Sequence, residues 1–181
     1  MKKLLLLLLL VAAPAHAAEP SPPNIGISLS LLRLAASMAE IKAEHSLGPL
    51  GFALLGCAGM APDDDSHAGG FTAVGGGVQG LWYALGSFRR GLHLGLEGRY
   101  ESKSSTYRSE GAGIHTQSQG WQLGGLAGLR YSLPRGLFLE SQGFLGRTWL
   151  ATATTCCSSV RQDDTASNLA ARVALNVGWL F

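Results

Sequence analysis

Hydrophobic and polar residues alternate one by one along the last stretch of the chain. In RVALNVGWLF, Val173, Leu175, Val177, Trp179 and Phe181 fall on one face, and Arg172, Ala174, Asn176 and Gly178 on the other. A period of two is the mark of a β-strand whose faces meet unlike surroundings. The pattern recurs in GWQLGGLAGLRYSL, where Trp121, Leu123, Gly125, Ala127, Leu129 and Tyr131 alternate with Gln122, Gly124, Gly128 and Arg130. In LHLGLEGRYESK, Leu92, Leu94, Leu96 and Tyr100 alternate with His93, Glu97, Arg99, Glu101 and Lys103. A soluble sandwich accounts poorly for that last strand, because its polar face carries both signs of charge in strict register. A transmembrane barrel accounts for it directly, with the apolar face toward lipid and the polar face toward the lumen.

Other strands are less regular. LFLESQGFLGRTWL places Leu137, Leu139, Leu145 and Trp149 opposite Glu140 and Gln142. Arg147 breaks this register, which calls for a bulge at Gly143 or Gly146, or for snorkelling at the rim. FTAVGGGVQGLWYAL is rich in glycine, and its facing around Trp82 and Tyr83 is ambiguous. LGFALLGCAGM, IGISLSLL and SMAEIKAEH complete the set, the last with Glu40, Lys42 and Glu44 opposite Ala39, Ile41 and Ala43.

The connections alternate short and long. Ser46 to Pro49, Gly86 to Gly91 and Pro134 to Gly136 are short; Ala61 to Gly70, Ser104 to Gln119 and Thr152 to Ser167 are long and polar. Only the first hairpin, near Arg33 to Ser37, is tight on the long-loop side. Short periplasmic turns with longer external loops are the outer-membrane arrangement. Both termini then lie on the periplasmic side, so the strand number is even. The expected fold is all-β, an eight-stranded antiparallel up-and-down transmembrane barrel; a misreading of the N-terminal strands would make it six or ten.

Aromatic residues test the topology separately. Trp121 and Trp149 fall at external strand ends, and Trp82, Tyr83, Tyr131 and Trp179 at periplasmic ends, as two interfacial girdles. From Trp121 to Tyr131 the strand covers about 23 Å of membrane, taking ~3.3 Å per residue and a tilt near 45°.

The N-terminus adds a destination. Lys2 and Lys3 precede the apolar run Leu4 to Ala13 and a small-residue exit at Ala15, His16, Ala17 and Ala18. That order reads as a cleaved secretory signal over residues 1–18, leaving 19–181 as one barrel domain. The apolar run is shorter than the roughly 20 residues a membrane helix requires. Without Lys2 and Lys3, twelve of the fourteen basic residues remain against twelve acidic ones, so the mature chain is neutral. A neutral chain without a basic cluster gives no reason to bind nucleic acid.

Cys57, Cys156 and Cys157 are an odd number for an oxidising compartment. Cys156 and Cys157 can form a vicinal disulfide, one can pair elsewhere, or all can remain thiols in a loop and a wall position. Their spacing does not suit zinc. Asp63, Asp64 and Asp65, and Asp163 with Asp164, lack the spacing of calcium loops and read as solvated external residues. No metal or cofactor is expected.

The layout, the leader and the terminal VALNVGWLF resemble the OmpA-like superfamily of outer-membrane barrels, including its small OmpX-type members. The resemblance covers nearly all the mature chain and rests on pattern. It implies that Val173, Leu175, Val177, Trp179 and Phe181 form the signal read by the outer-membrane barrel assembly machinery. It also implies contact with outer-membrane lipid and lipopolysaccharide, and a monomer. The family's periplasmic peptidoglycan-binding domain has no counterpart before Phe181, so tethering to the cell wall is not expected.

A barrel of this size is narrow enough to fill with side chains. Glu40, Lys42, Glu44, His93, Glu97, Arg99, Glu101, Arg130, Glu140 and Arg172 are expected inside it, with the two signs nearly balanced. They form either a salt-bridged core or a small pore, and the core is favoured by the barrel's width. Small outer-membrane barrels also include lipid-modifying enzymes and proteases. Here His93 with Glu97, or His115 with Ser118 and Glu110, supply the residue types but no motif, and the adjacent pair His45-Ser46 falls at a periplasmic turn. The expectation is a protein without catalysis, whose loops carry any specific interaction; Tyr107 and Arg108 are candidate contacts there.

Overall fold

The computed structural model describes residues 24–61, 69–109, 112–156 and 160–181. The leader over residues 1–18, Asp63 to Asp65, Glu110 and Cys157 lie outside the described residues. The elements are β1 (Ile25–Ser30), α1 (Leu31–Ala35), β2 (Met38–Leu47), β3 (Leu50–Ala61), β4 (Phe71–Ser87), β5 (Arg90–Ser109), β6 (Ala112–Ser132), a 3-10 turn (Pro134–Gly136), β7 (Leu137–Cys156) and β8 (Val160–Leu180). The eight strands close into a barrel in sequence order, each antiparallel to its neighbours, with β1 joined to β8.

Both ends of the described chain meet at one rim, here the terminal end. Phe181 donates its backbone N–H to the Ile25 carbonyl at 2.8 Å, and Asn24 donates to Phe181 at 3.1 Å. The turns at this end are tight. Between Leu47 and Leu50 only Gly48 and Pro49 intervene, and Gly48 takes φ +67°, where a side chain would be strained.

Alternation along the strands places apolar residues outward and polar ones inward. Ile41, Leu54, Val78, Leu96, Leu123, Leu145 and Val173 are exposed, whereas Glu40, Gln79, Glu97, Arg99, Arg130 and Glu140 are buried. This is an inside-out protein, with its charges within the wall and its aliphatic side chains outside it.

Three expectations are corrected and one alternative is decided. The segments from Ser104 to Gln119 and from Thr152 to Ser167 are mostly strand rather than loop, since β5 runs to Ser109, β6 starts at Ala112, β7 ends at Cys156 and β8 starts at Val160. Their polar residues gave no alternation because neither face there carries an apolar stripe, yet the ladder continues. Tyr83 is not in the aromatic girdle. It is buried in the lumen, while its neighbour Trp82 is exposed; adjacent strand residues take opposite faces, and a bulge between Trp82 and Leu85 shifts the register just beyond them. For Arg147 the bulge is excluded, because β7 pairs with β6 and β8 in unbroken register past Gly143 and Gly146; Arg147 points outward, which leaves the other alternative, snorkelling. IGISLSLL ends as a strand at Ser30, and Leu31 onward turns into α1.

Candidate functional site

The interior charges divide into two groups. Nearer the terminal end, Lys42 and Glu44 of β2 meet Arg130 of β6 and Glu140 of β7. Lys42 Nζ donates to Glu140 Oε1 and lies 3.1 Å from Glu44 Oε2. Arg130 Nε donates to Glu140 Oε2 at 2.8 Å, and its Nη2 donates to Glu44 Oε2 at 2.6 Å and to Glu140. Asn176 Nδ2 donates to Glu140 at 3.0 Å, and the Tyr83 hydroxyl donates to Glu44 Oε1 at 2.7 Å. Two cations face two anions, all buried.

The second group lies toward the far end. Arg99 Nη1 is 2.6 Å from Glu40 Oε2 and 2.9 Å from Glu101 Oε1, and Arg99 Nε is 3.2 Å from Glu97 Oε1. Arg172 Nη2 donates to both Glu97 oxygens, at 2.6 and 2.8 Å. Arg33, reaching in from α1, is 2.6 Å from Glu101 Oε1 and 3.4 Å from Glu40 Oε2. Three cations face three anions. No ion pair among the described residues joins one group to the other; Gln79 donates to Glu97 at 2.7 Å and to Gln142 at 3.5 Å, and this neutral chain ends on His93 between the two groups.

Each group is therefore neutral by itself, and this condition makes charge tolerable in a low-dielectric interior. All nine charged residues expected in the lumen are brought into these groups. Arg33 was missed, because a cation in a tight connection carries no register that would point it inward. Sequence reasoning also missed the apolar plug. Phe88, in the turn between β4 and β5, folds back into the barrel against Tyr83, Phe138 and Leu180 and fills the terminal end. The Arg130 guanidinium lies 5.0 Å from the Phe88 ring centre and 4.6 Å from that of Phe138, and donates to the Phe88 carbonyl at 3.0 Å. Arg172 sits 4.9 Å over Phe144, whose aromatic ring is another inward apolar group. Leu126, Leu81 and Ala53 add a further apolar patch on the inner wall.

The catalytic combinations do not assemble. His93 is fully buried and its Nε2 is 3.0 Å from the Gln142 amide nitrogen, which leaves that ring nitrogen as an acceptor when the amide donates. No serine hydroxyl among the described residues bonds to it. Ser118 bonds to Thr152 at 3.3 Å, not to His115, and Glu110 lies outside the described residues. Cys57 is a free thiol facing the lumen, 3.9 Å from Glu101 Oε1.

On the outer wall, Trp121 of β6 pairs with both Tyr100 of β5 and Trp149 of β7, forming an aromatic row toward the far end. Tyr100 and Trp121 are in ring contact, with centres 4.9 Å apart. Trp82 and Tyr131 are exposed and Trp179 half-buried near the terminal end. In β8, Val173, Leu175, Val177, Trp179 and Phe181 share the outer face as expected, with Ala174 and Asn176 buried on the inner one.

Among solved structures, the chain is similar to a major outer membrane protein from Thermus thermophilus. The two are 13% identical, with a TM-score of 0.50 over 88% of this chain and 98% of that one. The likeness is one of fold. No sequence family matches the chain, and neither does any curated protein.

Proposed function

We propose that the chain is a non-enzymatic barrel of a bacterial outer membrane, exported by a signal over residues 1–18, with a structural or surface-interaction role and a filled lumen. The observation that carries this reading is the interior. Ten charged side chains neutralise one another in two closed groups, and an aromatic plug fills the terminal end. What remains unmet lies on the outside, where an aliphatic wall between two aromatic rows matches a bilayer core. The terminal end is then periplasmic and the far end external, and the outward face of β8 ending at Phe181 is the stretch that assembly machinery would read. Lipid and lipopolysaccharide are the surroundings, and the monomer is the functional unit. The small OmpX-type barrels are the members of the OmpA-like superfamily that this layout resembles.

Unequal strand lengths support the surface role. Strands β5 to β8 continue past the Tyr100–Trp121–Trp149 row by seven to nine residues, which is on the order of 15–20 Å beyond the interface. In contrast, β1 ends at Ser30 and pairs with β8 only from Asn176 to Leu180. Above Asn176 the β8 edge has no β1 partner and α1 lies against β8 instead; the edge beyond the short helix, unpaired in the ladder, can add a strand from another chain.

Three measurements test the reading. A folded chain extracted only by detergent, and migrating differently on gels with and without heating, is expected; extraction into buffer alone would point instead to a periplasmic sandwich. Planar bilayers should show no sustained single-channel steps, and such steps would establish the narrow-channel alternative. Mass spectrometry of the membrane's glycolipid should be unchanged by the chain, and a new acylation or deacylation product would establish an enzyme.

A further inference from the structure

The outer wall carries one misplaced charge. Between the two aromatic rows, Arg147 is the only charged side chain on the outward face among the described residues, and it is exposed. Its neighbours across the ladder are Leu123 on β6 and Leu169 on β8, both exposed and aliphatic. No carboxylate, carbonyl or ring among the described residues is paired with it. A bare guanidinium on a lipid-facing wall is unfavourable unless it reaches the interface or finds an anion.

The position offers the interface and a place for an anion. Arg147 is one outward step below Trp149, which is about 5 Å of depth at ~3.3 Å per residue and a tilt near 45°. Its side chain can extend to the aromatic row. An open groove of about 620 Å³ lies there, lined by Tyr100, Gln119, Trp121, Trp149, Thr165 and Ser167 among others. Aromatic walls with amide and hydroxyl groups suit a sugar-bearing headgroup, and a planar guanidinium suits phosphate oxygens. The volume falls within the range of sites for small organic molecules.

We propose that this face of β6 to β8 binds a phosphorylated glycolipid of the external leaflet, with Arg147 on a phosphate and the groove around the sugar. The inference rests on the outer-membrane reading above and names one lipid class within it. Charge complementarity selects the occupant: the cation has no partner among the described residues, and the groove offers no second cation that would favour a more acidic polymer.

The test uses the full chain in phosphatidylcholine nanodiscs, with bound lipid counted by native mass spectrometry. The probes are a diphosphorylated, acylated glucosamine disaccharide, its dephosphorylated form, and phosphatidylglycerol. The wild-type chain should retain the phosphorylated glycolipid about tenfold better than either alternative, as one charge-assisted bidentate contact warrants. Arg147→Gln should erase that preference, Arg147→Lys should keep part of it, and Trp149→Ala should weaken retention of both glycolipids. The heat-dependent gel shift of each variant confirms folding. A preference that survives in Arg147→Gln, or phosphatidylglycerol retained as well as the glycolipid, would overturn the proposal. A wild-type chain that inserts but ignores phosphate sinks the headgroup site alone; one that never enters the nanodisc sinks the membrane reading and the site together.

Discussion

Glu140→Gln tests whether the interior charges hold the barrel. Glu140 is fully buried and accepts from Lys42, Arg130 and Asn176. The variant leaves Lys42 and Arg130 sharing Glu44, at 3.1 and 2.6 Å, so a group of two cations and two anions becomes two cations and one anion. A unit-charge pair ~4 Å apart is worth about 4 kcal/mol at an effective dielectric near 20. Two such attractions disappear, one carboxylate repulsion is relieved, and the amide recovers some hydrogen bonding. The net expectation is a loss of about 3–5 kcal/mol, the usual cost of stranding a buried charge. Removing one charge of each sign, as Lys42→Met with Glu140→Leu, keeps Arg130 on Glu44 and should come within about 1 kcal/mol of wild type. Urea unfolding of the full chain in phospholipid vesicles, followed by tryptophan fluorescence, gives the midpoints. A single variant costing under about 1 kcal/mol, or a double variant costing the sum of its singles, would refute a charge-coupled interior.

Other substitutions probe neighbouring contacts by the same unfolding assay. Tyr83→Phe keeps the plug but removes the hydroxyl donor to Glu44, and should cost about 1.5–3 kcal/mol as a hydrogen bond to a charged group. In Gly128→Ala the new methyl would lie 2.6 Å from His93 Cε1 and 2.8 Å from Gln142 Cγ, so both side chains must shift, at about 1–3 kcal/mol; no change in the midpoint would mean that the inner wall is loosely packed. Arg33→Gln leaves the far-end group with a net negative charge, but Arg33 is partly exposed, so a loss of only about 1 kcal/mol is expected. A cost as large as that of Glu140→Gln would show that α1 seals this end from water.

Where alternation survived in the chain, the fold was legible. The last stretch of β8 could be read residue by residue because Val173 to Phe181 meets an apolar outside and a polar inside. The continuation of β5 past Lys103 and of β6 before Gly120 could not, since Ser104, Ser105, Gln117 and Ser118 are polar on both faces and carry no period. Tyr83 was misassigned because both members of the adjacent pair Trp82 and Tyr83 were placed in one girdle, whereas Tyr83 continues the inward series of Gln79 and Leu81. Phe88 sits in a turn, where no face is defined before the chain folds. Arg33 finds Glu101 across 68 residues of sequence, a separation over which neither periodicity nor spacing carries information. The interior residues were thus legible as a set, and their division into two neutral groups was not.

That division bears on what the lumen does. Ladder hydrogen bonds join each strand only to its neighbours, whereas the ion pairs cross the barrel: Lys42 of β2 to Glu140 of β7, Arg130 of β6 to Glu44 of β2, and Arg172 of β8 to Glu97 of β5. They fix the cross-section in a way that the ladder cannot. A conducting path along the axis would need at least one of these cross-links to swing aside, and each belongs to a group with no spare charge to replace it. Opening the path would therefore separate a buried cation from its anion in a narrow tube, beside the rings of Phe88, Phe138 and Phe144. The arrangement resists opening for the same reason that it stabilises the wall, and under the function proposed above the surfaces left to act are the far-end edge of β8 and the outer wall around Arg147.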